Sequence, residues 1–318
     1  MRFLETFFIL FSAVLLFLLL VLLFSGAAIF HIACARKGKL ISKVIATGYE
    51  KIYSEFPKIA EGCERLRQKE KREITIKSCD GTPLTAYYIE GENKGRTIIC
   101  VHGYHSDPVH DFGGATDKLL KHANLLLIDQ RGHGKSGGKY ITFGILESRD
   151  CKAWAQWLLE EKGEDHPVYF DGVSMGATSV LLASGLDLPK NVKGIIADCG
   201  FSSPKDIFED ITTRVIKVNP TLLLKSTDLF CRSFAKFSLY ENSTLKAMET
   251  NKLPILFAHG TADSLVPYAM TQKAFDACNS KKYLVLAKDA EHGMSYLIDY
   301  ESYSQAMEKL FEESESAA

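Results

Sequence analysis

The chain has 318 residues, 46% of them apolar and 24% charged, with a net charge of −1. These are ordinary globular values for one large domain or two small ones, and they exclude disorder and a collagen-like repeat. A balance so near neutrality also leaves no electrostatic footprint for nucleic acid.

The charge is unevenly placed. Residues 1–43 hold five cations and one anion, which leaves 33 cations against 38 anions, a net −5, in the rest. No formal charge falls between Thr6 and Ala35, and from Phe7 to Phe30 only Ser12, Ser25 and Gly26 interrupt a run dominated by Leu, Phe, Val and Ile. Twenty-four helical residues at about 1.5 Å each reach roughly 36 Å, enough to cross a hydrocarbon core of about 30 Å. A soluble core helix would carry a polar face, and this run has none. A cleaved signal peptide is the rival, with Ser25-Gly26-Ala27 as its cleavage site. The run exceeds an ordinary signal core, however, and only Arg2 and the terminal amine precede it. Residues 1–35 are therefore expected to be an uncleaved single-pass anchor in contact with membrane lipid. Arg36, Lys37, Lys39 and Lys43 behind it favour a cytoplasm-facing globule.

Residues 36–71 mix apolar and charged positions at helical spacing, with Pro57 as a break, and read as a juxtamembrane helix and linker. Beyond them, residues 72–318 alternate strands and helices. Arg72–Ser78 and Leu84–Glu90 read as strands joined at Asp80-Gly81. Arg96–Val101, Leu125–Asp129, Val168–Phe170, Val192–Ala197, Ile255–Ala258 and Tyr283–Leu286 read as further strands. Helices are expected over Asp117–His122, Leu146–Glu161, Met175–Ser184, Pro267–Cys278 and Met294–Phe311. This rhythm implies a mostly parallel sheet with helices on both faces, and chemistry beyond the carboxyl ends of its strands. Residues 201–250 break the rhythm as irregular helices rich in Phe, Leu and Lys. They are expected either to roof an apolar acyl pocket as an amphipathic lid, with Phe234 and Phe237 on its inner side, or simply to pack on the sheet.

Eight cysteines, at positions 34, 63, 79, 100, 151, 199, 231 and 278, show no regular spacing and read as free thiols acting as small hydrophobes. His102, His105 and His110 fit no zinc spacing, and neither a metal nor another cofactor is expected.

Gly172-Val173-Ser174-Met175-Gly176 matches G-x-S-x-G, but so does Gly134-Lys135-Ser136-Gly137-Gly138. A nucleophile elbow needs a strand before the serine and a helix after it. Ser174 has both, whereas Ser136 sits in a glycine-rich loop. That loop ends like a phosphate-binding loop, yet Asp129 stands where such a loop needs glycine. A serine nucleophile needs a base and the base an orienting acid, in the chain order Ser, acid, His. His292, in Glu291-His292-Gly293 after the last strand, is the expected base. Asp263, in the loop after Ile255–Ala258, is the expected acid, with Asp198 as its rival and a capping or turn role as its bland alternative. His259 is read as bracing the loop. Two backbone N–H groups should hold the oxyanion: Met175, following the nucleophile, and Tyr104, in His102-Gly103-Tyr104 after the third strand.

With these motifs assembled, residues 72–312 resemble an α/β-hydrolase. The resemblance rests on the His102-Gly103-Tyr104 loop, Asp129-Gln130-Arg131-Gly132-His133-Gly134-Lys135-Ser136, the Ser174 elbow, the Gly260-to-Pro267 loop and Glu291-His292-Gly293. With its N-terminal anchor the chain is similar to the membrane-anchored serine hydrolases of the esterase, lysophospholipase-like and acylaminoacyl-peptidase-like branch. The resemblance implies an eight-stranded sheet with 201–250 as lid, a structural role for Asp129 and Arg131, and a small-molecule ester or acyl substrate. A serine peptidase with the same triad is the alternative. A non-catalytic binding protein would be expected to lack a triad member, and an aspartate nucleophile would require Asp at 174.

Overall fold

The computed structural model describes residues 2–36, 38–217 and 219–316. Lys37, among the cations counted behind the apolar run, and Val218, within the expected lid, lie outside the described residues, as do residues 1, 317 and 318.

The apolar run forms one helix, α1 (Arg2–Cys34), long and apolar enough over Phe3–Cys34 to cross a membrane. Two helices follow, α2 (Lys39–Glu55) and α3 (Pro57–Gln68). Pro57 separates them by opening α3, where its missing N–H costs nothing.

Eight strands come next: β1 (Arg72–Lys77), β2 (Pro83–Ile89), β3 (Thr97–Val101), β4 (Asn124–Asp129), β5 (Val168–Val173), β6 (Val192–Asp198), β7 (Ile255–Gly260) and β8 (Lys282–Ala287). Between β3 and β4 lie α4 (Pro108–Phe112) and α5 (Thr116–His122); α6 (Ile145–Lys162) and α7 (Met175–Ala183) flank β5. After β6 come α8 (Pro204–Ile216), α9 (Thr221–Phe230) running into a π-helical turn at Cys231–Ala235, and α10 (Thr244–Thr250). The chain closes with α11 (Tyr268–Ala277), α12 (Ser295–Ile298) and α13 (Tyr300–Ser316). The expected helix over 294–311 is thus broken at Asp299, and Pro267 stands just before α11 rather than inside its first turn.

The strands make one sheet in the order β1-β2-β4-β3-β5-β6-β7-β8. The β1–β2 and β2–β4 pairs are antiparallel and the other pairs parallel. β3 and β4 are buried at every residue, which is why their sequences are continuous apolar runs, while the edge strand β1 alternates. The period of two divides the core: Leu126 and Ile128 pack on the face covered by α6 and α7, and Leu125 and Leu127 on the face covered by α5 and α13.

The end of α1 is docked on the globule. The Ser226 hydroxyl of α9 donates to the Leu22 carbonyl at 3.0 Å. Phe30 is buried among Tyr140, Phe230 and Phe234, at ring separations of 5.2, 6.5 and 6.0 Å. Arg36 donates to the Ser136 and Gly134 carbonyls at 2.6 and 2.7 Å, so the glycine-rich loop holds the chain as it leaves α1.

Arg131 anchors that loop from below. Its guanidinium makes two 2.6 Å bonds to Asp150 of α6 and a 2.9 Å bond to Asp80, and it is buried with Asp150. Removing one partner leaves a buried charge uncompensated, which costs about 3–5 kcal/mol. Arg131→Ala is therefore expected to lower unfolding stability by that order, read by denaturant titration in detergent. A loss below about 1 kcal/mol would show that the pair is not what secures the loop.

Candidate active site

Ser174 occupies the turn between β5 and α7 with φ 57° and ψ −119°, a conformation that is strained for a residue with a side chain. Its N–H donates to the Asp198 carbonyl at 2.8 Å. The flanking glycines are required by close approach: a Cβ on Gly176 would lie 1.9 Å from the Val101 carbonyl oxygen, and one on Gly172 would lie 2.5 Å from the Gly176 backbone. Ser136 is occupied elsewhere, donating to Asp129 O at 2.5 Å and accepting from Thr85 N–H at 2.8 Å.

His292 reaches Ser174 from the loop after β8, with Nε2 2.9 Å from Oγ, and its Nδ1 lies 2.7 Å from Asp263 Oδ2. A carboxylate only accepts, so Nδ1 carries the proton toward Asp263 and Nε2 is free to accept from the serine. Asp263 also caps its own loop, with Oδ1 accepting from the Leu265 and Val266 N–H groups at 2.9 and 2.8 Å. The turn role and the orienting role therefore coexist. His259 Nε2, 3.0 Å from Asp263 Oδ2 and 2.9 Å from Val266 O, donates to both. Burial would raise the Asp263 carboxyl, but the hydrogen bonds from His259, His292 and the Val266 N–H outweigh it and hold it well below the usual range.

The rival acid borders the same cavity but is bonded to another partner. Asp198 Oδ1 accepts from Ser295 Oγ at 2.7 Å, and burial pushes its carboxyl up. Beside it, Asp171 of β5 is buried, and burial together with the Asp198 charge pushes it up to about 8. The three carboxyls near Ser174 thus divide into one held charged and two held toward neutrality.

Met175 opens α7, so its N–H has no acceptor within the helix. On the opposing loop the Gly103 N–H is taken by Asp111 Oδ2 at 2.6 Å, and the next N–H is that of Tyr104. His102 braces the loop, its Nδ1 2.8 Å from Gly103 O and its Nε2 accepting from Gln130 N–H at 3.1 Å. Two contacts to this loop come from the N-terminal segment. Tyr49 of α2 donates to Asp111 Oδ1 at 2.5 Å, and the Tyr104 hydroxyl donates to Ala33 O, at the end of α1, at 2.7 Å.

A cavity of about 600 Å³ opens at Ser174 and His292. Ile45, Ile52, Phe56 and Ile59 of the α2–α3 segment form one side, and Met294, Leu297 and Tyr296 another. Among the described residues none from 201–250 lines it, so the expected roof is supplied by α2 and α3 instead. Phe237 is buried in the core, and Phe234 is 57% exposed and stacked on Phe230. An amphipathic pattern identifies an apolar face without identifying what that face meets, and here it meets α1 and the sheet.

Cys199 Sγ lies 4.0 Å from His292 Nε2, and with Asp263 these are the described residues that could share a metal ion. Burial, reinforced by Asp198 and Asp263, pushes the Cys199 thiol up, so it stays protonated and is a poor ligand. His110 is held by Asp107 at 2.7 Å, and His105 N–H donates to His133 Nε2 at 3.0 Å, so these histidines are spread over separate partners. All eight cysteines are free, and Cys79 is the exposed one.

Residues 96–225 match the family model for the alpha/beta hydrolase fold. The chain has the α/β-hydrolase fold. The uncharacterized protein YqkD of Bacillus subtilis is 26% identical over 249 residues, covering 78% of this chain and 82% of its own. The uncharacterized protein YfhR of Escherichia coli K12 is 25% identical over 250 residues, 76% and 77% of the two chains. Among solved structures, the esterase PF2001 of Pyrococcus furiosus superposes with a TM-score of 0.59 at 24% identity, covering 77% of this chain and 91% of its own. The esterase EaEST of Exiguobacterium antarcticum does so at 0.55 and 17%, covering 76% and 100%. Such likenesses carry the α/β-hydrolase fold.

The raised Asp171 carboxyl has a consequence for stability. In the unfolded chain it ionises near the usual 3.9, and in the folded protein near 8, so between those values the folded state holds a proton that the unfolded state has released. Its contribution therefore turns against folding as pH rises through that window. Asp171→Asn, which cannot ionise, is expected to raise the melting temperature more at pH 7.5 than at pH 4.5. An equal shift at both values would contradict a neutral buried carboxyl.

Proposed function

We propose that this protein is a serine hydrolase of carboxylic esters that works at a membrane surface through an acyl-enzyme. The observation that carries the reading is the relay from Asp263 Oδ2 to His292 Nδ1 at 2.7 Å and from His292 Nε2 to Ser174 Oγ at 2.9 Å, at a strained strand-to-helix turn. Ser174 Oγ attacks the ester carbonyl carbon as its proton passes to His292 Nε2. The carbonyl π pair moves onto oxygen, which the Met175 and Tyr104 N–H groups receive. Collapse expels the alcohol, which takes the proton from His292, and leaves Ser174 acylated. Water then gives a proton to His292, attacks the acyl carbon and displaces Ser174 Oγ, which recovers that proton. Asp263 stays ionised throughout, holding the imidazole tautomer and stabilising the imidazolium. No metal or cofactor enters the cycle.

The apolar side of the cavity suits an acyl chain, and solved proteins named as esterases share the fold. The exposed apolar surface of α1 from Phe3 to Val21 supports a single-pass anchor, and the basic flank supports a cytoplasm-facing domain.

A fluorophosphonate probe and a panel of p-nitrophenyl esters and peptide anilides test this on the full-length protein in mild detergent. Labelling is expected to vanish in Ser174→Ala. Ester turnover is expected to fall about 10³–10⁴-fold in Asp263→Asn, where the wrong tautomer is favoured, and to survive in Asp198→Asn. Persistent labelling of Ser174→Ala removes the nucleophile, and preferential cleavage of anilides replaces the esterase reading with a peptidase.

Tyr49 is proposed as a positioning residue for the oxyanion loop, acting through Asp111 on Gly103. Because an oxyanion contact is made in the transition state, Tyr49→Phe should lower kcat on a small ester about tenfold with KM and melting temperature nearly unchanged. A change in KM alone would make Tyr49 part of the pocket wall instead.

A further inference from the structure

The α8–α9 hairpin exposes apolar side chains that the globule leaves uncovered. Val215 is 74% exposed and Leu222 67%, with Ile211, Ile216 and Leu229 exposed beside them. Lys217 and Lys225 stand exposed among these residues. A hairpin facing only water would not concentrate such a surface.

The packing of α9 on α1 fixes where that surface lies. A Cβ added at Gly26 would sit 2.2 Å from Ser226 Oγ, so the two backbones are in contact there, and Ser226 also bonds Leu22 O. Further along, Phe230 and Phe234 meet Phe30. Ser226 is thus level with Leu22–Gly26 and the phenylalanines with Phe30, so the two helices run in the same direction. One turn before Ser226, Leu222 is level with the α1 turn before Leu22, where α1 is exposed and wholly apolar. Counted from Thr6, the first residue after Glu5, 20 helical residues reach Ser25 in about 30 Å, the thickness of a hydrocarbon core. A spanning α1 therefore places the core boundary between Leu22, where its exposure falls, and Ser25, and brings the start of α9 down to it.

We infer that the α8–α9 hairpin is a second membrane contact, with Val215, Ile216 and Leu222 among the upper acyl chains of one leaflet and Lys217 and Lys225 at its phosphates. The anchor then holds the globule in one orientation instead of tethering it. The contact also reaches the candidate site: Arg214 of α8 donates to the Ser264 and Leu265 carbonyls at 2.7 and 2.9 Å, and both residues border the cavity at Ser174. An amphiphilic ester already partitioned into the leaflet is the substrate class this arrangement serves, a step that rests on the ester-hydrolase reading above.

The test uses the full chain in vesicles of phosphatidylcholine and an anionic phospholipid, with bromine placed near the top or the end of the acyl chains as a fluorescence quencher. Three variants are compared after subtraction of the native tryptophan signal: Leu222→Trp, Leu15→Trp, and Glu308→Trp on α13, which covers the other face of the sheet. Leu222→Trp is expected to be quenched most by shallow bromine, Leu15→Trp by deep bromine, and Glu308→Trp by neither. A Leu222→Trp signal matching that of Glu308→Trp overturns the proposal. If Leu15→Trp is unquenched as well, the anchor fails, and the hairpin contact with it. In a second arm, Val215→Asp combined with Leu222→Asp should lower hydrolysis of a long-chain ester carried in the vesicles about tenfold, while p-nitrophenyl acetate turnover and fluorophosphonate labelling stay at wild-type levels. An unchanged vesicle rate overturns the link to substrate. A wild-type protein inert to both esters and to the probe would instead fail the ester-hydrolase reading and leave the quenching result standing.

Discussion

The turn at Ser174 constrains everything around it. A non-glycine residue held at φ 57° costs on the order of 1–3 kcal/mol and persists only where its surroundings leave no alternative. Here β5 ends against β6 through the Ser174 N–H bond to Asp198 O, and α7, buried along its whole length, presses Gly176 onto the last carbonyl of β3. Three central strands and one buried helix therefore meet at a single serine. The same contact fixes the distance between the elbow and the facing loop, because the strand that Gly176 touches leads directly into His102-Gly103-Tyr104.

A second constraint is the division of the carboxyls. Asp263, Asp198 and Asp171 lie within one region, and burial acts on all three in the same direction. Hydrogen bonding separates them. Asp263 receives two backbone N–H groups and two imidazoles, enough to keep its charge, while Asp198 has one serine hydroxyl. A histidine that becomes cationic during a reaction needs the carboxyl that remains an anion, and this favours Asp263 over its rival on physical grounds.

Much of this was legible in the sequence, for identifiable reasons. Buried strands such as Thr97–Val101 announce themselves as apolar runs, and the elbow as a serine between a strand and a helix. Asp198 could not be dismissed beforehand because both acids follow strands, and only their hydrogen-bond partners, His292 for Asp263 and Ser295 for Asp198, separate them. His259 was read as a brace, yet its bond to Asp263 depends on how the 260–267 loop folds back. Tyr49 left no local signal, since its partner Asp111 is 62 residues away. Between the two alternatives for 201–250 the sequence could not choose for the same reason: its aromatic residues were visible, and Phe30, which Phe230 and Phe234 pack against, lies some 200 residues earlier in a helix read only as an anchor.

That long-range packing alters what the N-terminal segment is. Were α1 a simple tether, its end would be free of the globule and the chain from Ala33 to Phe56 would be a linker. Instead Ala33 accepts from Tyr104, Arg36 is bonded into the glycine-rich loop, Tyr49 holds Asp111, and Ile45, Ile52 and Phe56 wall the cavity. The residues before the family match thus line part of the pocket and bond Tyr104 and Asp111 beside the elbow. In this chain a helix of membrane-spanning length and its successor are packed against the globule beside Ser174, so the contacts that dock α1 and α2 also shape the candidate pocket.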